Sequence, residues 1–363
     1  MRSEDKMKKV RESNFELVRC ILMLMVVFVH YNSSKMGNAF SYVSPGSIHY
    51  YFLCFVESLA IIGTNGFVLL AGFFGWKRDK ISLRKPFGLI LYVIGYKLLF
   101  YVLGLIILKE AFTAKGVIAC FIPDNWFVVL YIVLVLLSPY INCMIRSLTK
   151  KSFLTLLGTL FLLFSVWPTA LDVAEIRLGI VTIGLNTIAV SGASSGYSIV
   201  NFVMLYLIGA FIAKFDALQY GKRWDVLGYL ACTLLIFAQE VFLGAGWSYA
   251  NPLVILSTVF FVNLFRKIHI TSPFINGVAK ASLGVFLIHT QYLVWDRFWA
   301  VFDIQEACRG SLPGCAFNMV WCCLLTYVLC VMMDTVCRLI ATPVSKRLDK
   351  ISVLNKNIIE ISD

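Results

Sequence analysis

The sequence predicts an all-α fold: a polytopic integral membrane helix bundle of about ten transmembrane helices, with both termini cytoplasmic. Three observations carry the prediction. Of the 363 residues, 60% are hydrophobic and 15% aromatic, with a mean hydropathy of +0.82, far from the balance of a soluble globular chain. Ten apolar stretches read as crossings of a hydrocarbon layer about 30 Å thick. Between them the Lys and Arg residues alternate in density, 24 on one side of the layer against 6 on the other, which is the asymmetry of the positive-inside rule.

Taken in order, the first stretch (15–33) follows "MRSEDKMKKVRESN", a flank like that of a signal peptide. No A-x-A-like cleavage site follows, so the stretch is expected to be retained as a span. The second (48–76) is long and interrupted by "GTNG", predicting either one kinked helix or two short ones. The remaining spans are expected near 86–108, 126–145, 153–168, 199–213, 226–245, 250–265, 281–301 and 316–341. The longest outer loop, 169–198, mixes apolar runs with Gly and Ser and reads either as a cap over a cavity or as a plain covering loop. Residues 1–345 form one transmembrane domain and 346–363 a cytoplasmic tail, with no internal repeat between them.

The net charge of +12 sits mostly in short loops. Topology therefore accounts for it, and the expected macromolecular partner is the lipid bilayer rather than nucleic acid. Eleven cysteines lie mostly inside apolar spans without a metal-like CxxC pair, so they are expected to pack as small hydrophobes, with no metal site. Cys308 and Cys315, in the outer loop "CRGSLPGC", have a turn between them that permits a bridge in an oxidising compartment.

Ionisable groups at membrane depth are costly and tend to face a bundle interior or a watery cavity. The sequence offers Arg19, His30, Glu57, Lys97, Glu240, His289 and Asp334. Lys97 is read either as a pairing cation for Glu57 or Asp334 or as a ligand contact, and Asp334 as a partner of Arg338 one turn on. Glu240 needs no special role, and His289 reads first as a hydrogen-bonded packing residue. Arg19 and His30 bracket the run "CILMLMVVFV". Eleven residues apart, they fall within about 20° of each other around a helix and roughly 16 Å apart along it. One stripe thus offers either an anion holder on the cytoplasmic side with an imidazole base toward the outside, or a packed and interfacial pair. Glu16, three residues before Arg19, lies on the same face and pairs with the guanidinium.

In these elements the sequence resembles the membrane-bound acyltransferase family 3, many of whose members O-acetylate bacterial polysaccharides. The resemblance rests on Arg19 and His30 as an R-x10-H element preceded by Arg11 and Glu16, and on "NGFVLLAGFFGWKR" through Phe67, Gly72, Phe73, Lys77 and Arg78. It continues in "DNWFVVLYIVLVLLSPYIN" through Trp126, Phe127, Tyr131 and Pro139, and in "ASLGVFLIHT" through Ser282, Phe286 and His289. The sequence departs from the family pattern at Val68 and Ala71, where Phe and Ser are common.

The resemblance implies a membrane O-acyltransferase that moves an acyl group, most often acetyl, from cytoplasmic acetyl-CoA (acyl-CoA) to a hydroxyl of a glycan or lipid-linked glycan of the cell envelope. It places the protein in the cytoplasmic (inner) membrane, with acyl-CoA as co-substrate rather than a resident cofactor. His30 and Arg19 are the expected catalytic pair, with Glu16 orienting Arg19. Lys77, Arg78 and Arg84 of "KRDKISLRK" read either as phosphate contacts or as positive-inside topology alone, and Glu57, Trp126 and His289 are expected to line the cavity. The competing reading from another class is a transporter or flippase of lipid-linked sugar. Transporters tend to carry broken helices at matching positions in two halves, and the sequence shows one interruption, at "GTNG".

Overall fold

The computed structural model describes residues 12–180, 196–348 and 350–360. The expected motif residue Arg11 and the 181–195 portion of the long outer loop lie outside them. The helices run α1 Asn14–Asn32, α2 Ile48–Ala60, α3 Gly63–Gly75, α4 Arg84–Ile107, α5 Ala114–Cys120, α6 Trp126–Ser147, α7 Lys150–Phe161, α8 Trp167–Leu178, α9 Ile199–Lys214 and α10 Lys222–Leu243. They continue with α11 Pro252–Arg266, α12 Pro273–Ala279, α13 Ser282–His289, α14 Ile304–Arg309, α15 Leu312–Leu348 and α16 Ser352–Asn355. One short antiparallel ribbon pairs β1 (Lys80–Ser82) with β2 (Asn357–Glu360), Lys80 opposite Glu360.

Among the described residues, seven helical stretches are long and apolar enough to cross a membrane: α1, α2 with α3, α4, α6, α7 with α8, α10, and the Leu312–Pro343 part of α15. The other three expected spans are shorter. α9 and α11 are apolar helices of 16 and 15 residues, and the 281–301 stretch is not one helix. There α13 stops after eight residues, the Thr290 N–H turning to the Ile288 carbonyl, while Thr290 Oγ1 and Gln291 Nε2 donate to the Phe286 (2.8 Å) and Leu287 (2.9 Å) carbonyls of the last turn. A wide turn at Leu293–Phe298 follows.

"GTNG" gives two helices, α2 and α3, breaking at Ile61 and Ile62. Conversely, the fifth span runs further than the sequence suggests, to Leu178. α7 passes into α8 through a π-turn at Leu162–Val166, the widened geometry that accommodates Pro168 without its N–H. The helix ends at Gly179, whose φ of +64° is the left-handed C-cap conformation.

α1 is the axis of the bundle, touching α2, α3, α11, α12, α13 and α15. α3 lies tightest against α9. A Cβ on Gly72 would sit 1.9 Å from the Tyr206 carbonyl oxygen, and one on Gly209 2.0 Å from that of Leu69. The two backbones touch, as small residues permit where helices cross inside a membrane.

The basic loops gather at one end. Ser13 N–H donates to the Ile270 carbonyl (2.7 Å) and Ser13 Oγ to that of Ser272 (3.2 Å). Asn142 Nδ2 donates to the Gly75 and Arg78 carbonyls (3.0 and 2.6 Å). Lys214 Nζ caps the carbonyls of Ile145, Arg146 and Leu148, and Arg266 reaches the Ala217 carbonyl (2.7 Å). With the ribbon joining residues 80–82 to 357–360, the loops expected on the cytoplasmic side share one end of the bundle.

Candidate active site

Arg19 lies near this basic end of α1. Its Nη1 is 2.8 Å from Glu16 Oε1, as the three-residue spacing predicts, and its guanidinium rests over the Phe74 ring, 5.7 Å from the centroid. Phe74 also walls an open recess of about 720 Å³ bounded by Phe73, Trp76, Lys77, Arg266, Lys267 and His269 together with Asn14, Asp216 and Glu12. Lys77 therefore lines a recess that reaches Arg19 only through Phe74, Arg19 itself lying behind that ring and outside the lining. Arg78 does not: it lines a separate recess with Lys85, Tyr131 and Tyr206, and Arg84 lines neither. The three expected phosphate contacts are thus split, because the chain turns at the end of α3, where the Arg78 N–H donates to the Gly75 carbonyl (2.9 Å).

One turn above Arg19, the stripe continues through Met23 and Val26. Both line an apolar cleft of about 70 Å³, closed by Thr64, Phe67, Phe127, Leu283 and Phe286. Phe67, Phe127 and Phe286 come from three sequence elements that the linear chain holds far apart, and their rings meet edge to face (Phe67–Phe127 6.5 Å, Phe127–Phe286 5.7 Å).

Beyond the cleft, His30 opens onto a second recess of about 310 Å³. Its walls are Lys97, Asp124, Asn125, Trp126, Phe286, Thr290 and Gln291 with Met36, Val93 and Leu287. Phe286 lines both spaces, so cleft and recess are neighbours along the stripe. Asn125 starts α6 by accepting the Val128 N–H (3.1 Å), which fixes Trp126 in the first turn at the wall.

His289 is buried and lies against His30, with His30 Nδ1 to His289 Nε2 at 2.7 Å. Its own Nδ1 is 2.6 Å from the Val285 carbonyl one turn back. The expected packing histidine is thus the immediate partner of the expected base.

Other expectations change. Lys97 pairs with neither Glu57 nor Asp334; its ammonium holds Asp124 (2.9 Å) and the Ile122 carbonyl (2.8 Å), because the α5–α6 connection folds back onto α4. Asp334 is buried and pairs with Arg338 (2.6 Å) as the spacing implies, and it also accepts from Tyr96 (2.8 Å) and Tyr92. Glu57 does not line the His30 recess; it accepts from Asn32 (2.9 Å) on another face of α1. Cys308 and Cys315 are free thiols with sulfurs 3.7 Å apart. Sequence reasoning missed Asp124, Thr290 and Gln291. The first had a signal, a polar "DNW" set directly before an apolar span on the outer side.

A family model described as an acyltransferase domain matches residues 12–336, nearly the whole chain. The chain belongs to acyltransferase family 3. It is therefore a membrane acyltransferase, and the transporter reading falls. A second interrupted stretch, after α13, removes the helix-break argument that the sequence alone had offered against that reading, so the family membership decides it. No curated protein and no solved structure matches the chain.

Proposed function

We propose that this acyltransferase moves an acetyl group from cytoplasmic acetyl-CoA to a sugar hydroxyl of a cell-envelope or exported glycan, acting in the cytoplasmic membrane. The observation that carries the reading is the continuity of the stripe: a cation-bearing recess beside Arg19, an apolar cleft at Met23 and Val26, and a polar recess at His30. A pantetheine arm has a length comparable to the roughly 16 Å rise between the two ends. With the nucleotide phosphates held at the basic end, the thioester would stand near the imidazole. The acceptor hydroxyl would approach from the opposite end.

The transfer forms a bond between the acceptor oxygen and the thioester carbonyl carbon and breaks the C–S bond. The hydroxyl proton passes to His30 Nε2 and then to the departing sulfur, leaving free CoA and a sugar ester. His30 is the general base and Arg19 the donor contact, oriented by Glu16. Membranes containing the protein, incubated with radiolabelled acetyl-CoA and the glycan fraction of the source cells, test the reading. His30→Ala should abolish alkali-labile label in the glycan at unchanged protein level, a loss of about 100-fold or more for removal of a general base. Near wild-type labelling by His30→Ala would overturn the proposal.

A further inference from the structure

We propose that His289 is the positioning residue that sets the tautomer of His30, aiming a bare Nε2 lone pair into the recess. The argument is one of donors and acceptors. A carbonyl oxygen only accepts, so the 2.6 Å contact between His289 Nδ1 and the Val285 carbonyl requires the proton on that Nδ1. In the neutral ring the remaining nitrogen, Nε2, is then an acceptor. Its 2.7 Å neighbour, His30 Nδ1, must be the donor. With its proton committed at Nδ1, a neutral His30 has none at Nε2, and no described residue hydrogen-bonds that nitrogen. The chain from the Val285 carbonyl through His289 to His30 thus leaves one bare nitrogen, on the ring that walls the recess.

The anchor is rigid. Val285 and His289 are fully buried on α13, and the carbonyl lies exactly one helical turn before the ring it holds, so the relay needs no loop to stay in place. Rings 37° apart with centroids 4.9 Å from each other exclude flat stacking as their contact. When Nε2 takes the acceptor's proton, His30 becomes an imidazolium whose Nδ1–H still points at His289 Nε2. The positive charge therefore forms against a lone pair already in position, without reorientation at the moment of transfer. The role is that of the orienting third member of a triad, here an imidazole on a carbonyl instead of a carboxylate.

The inference rests on His30 being the base proposed above, and the experiment separates the two. Steady-state kinetics of acetyl-CoA turnover with the source glycan fraction would be compared for His289→Phe, His289→Met, His289→Gln and His30→Ala, at equal amounts of monodisperse protein in detergent. Phe fills the site without an acceptor and Met with only a weak thioether one, whereas the Gln side-chain oxygen accepts the Nδ1–H of His30. Both the Phe and Met variants should lose kcat by about 100-fold or more, on the scale of a base left in the wrong tautomer, with KM for acetyl-CoA within about twofold. His289→Gln should recover at least about tenfold of that loss. Equal loss in Gln, Phe and Met, or a loss expressed in KM alone, would overturn the relay. An inactive His30→Ala beside a near wild-type His289→Phe would overturn it while sparing the base. A near wild-type His30→Ala would remove the base and the relay together.

Discussion

Gly72→Ala is a one-carbon perturbation whose consequence follows from the α3–α9 crossing. The added Cβ would lie 1.9 Å from the Tyr206 carbonyl oxygen and 2.6 Å from its carbon, where ordinary contact begins near 3.4 Å. The obstacle is backbone, so no side chain can rotate away, and α9 must retreat by about 1.5 Å in a close-packed interior. That retreat opens the reciprocal contact at Gly209 and strips packing from Leu69, Leu70 and Leu205, all buried. Overpacking of this kind costs about 2 kcal/mol or more, which for a chain of 363 residues corresponds to a fall in unfolding temperature of roughly 2–3 °C or more. The damage reaches the site, because α3 also supplies Thr64 and Phe67 to the apolar cleft. Gly158→Ala, in the interior of α7 with nothing within 4 Å of its added carbon, is the control. It gains up to about 1 kcal/mol of helix propensity and should leave the unfolding temperature unchanged or slightly higher. Thermal scanning of the two purified variants in the same detergent decides the matter. If Gly72→Ala melts alongside Gly158→Ala, the backbones do not touch and the account of the crossing is wrong.

Two further outcomes follow from the same geometry. Arg19→Lys keeps the charge but loses the planar fork that pairs with Glu16; on the proposed donor role, KM for acetyl-CoA should rise about tenfold with kcat nearly unchanged, and a collapse of kcat at constant KM would refute that role. In a cysteine-free background, Lys80→Cys should react with an impermeant maleimide only after cells are opened, and Lys115→Cys in intact cells, while labelling of position 80 in intact cells would invert the topology.

Much of the architecture could be read from the chain because apolar content and loop charge are local properties. The ion pair of Glu16 with Arg19 and that of Asp334 with Arg338 were legible for the same reason, since helical spacing alone brings the partners together. The limits appear where contacts are made between elements. Nothing periodic connects α1 to α13, so the pairing of His30 with His289 was invisible, and a lone histidine on an apolar face reads as packing. Of the two readings of Lys97, the pairing with Glu57 or Asp334 fails because sequence distance gives no hint that the α5–α6 connection brings Asp124 to it, while its place in the wall of the His30 recess agrees with the other. Pro168 was read as the end of a span, yet a single π-turn carries the helix past it. Likewise, "KRDKISLRK" reads as one cationic patch, but the chain turns as it leaves α3, Arg78 N–H on the Gly75 carbonyl (2.9 Å), and Lys77 and Arg78 line different recesses.

The two imidazoles stand 259 residues apart in the chain, and that separation orders events during biosynthesis. α1 emerges from the ribosome first and carries Arg19 and His30 into the bilayer long before their surroundings exist. The α3–α9 crossing can close only after residue 214 has been made, still well before the ring that His30 pairs with. Only when α13 is inserted does His30 acquire its neighbour and the apolar cleft its Leu283 and Phe286 wall. A nascent chain halted before residue 289 therefore carries the Arg19 to His30 stripe without the second ring and without the walls that α13 brings to it.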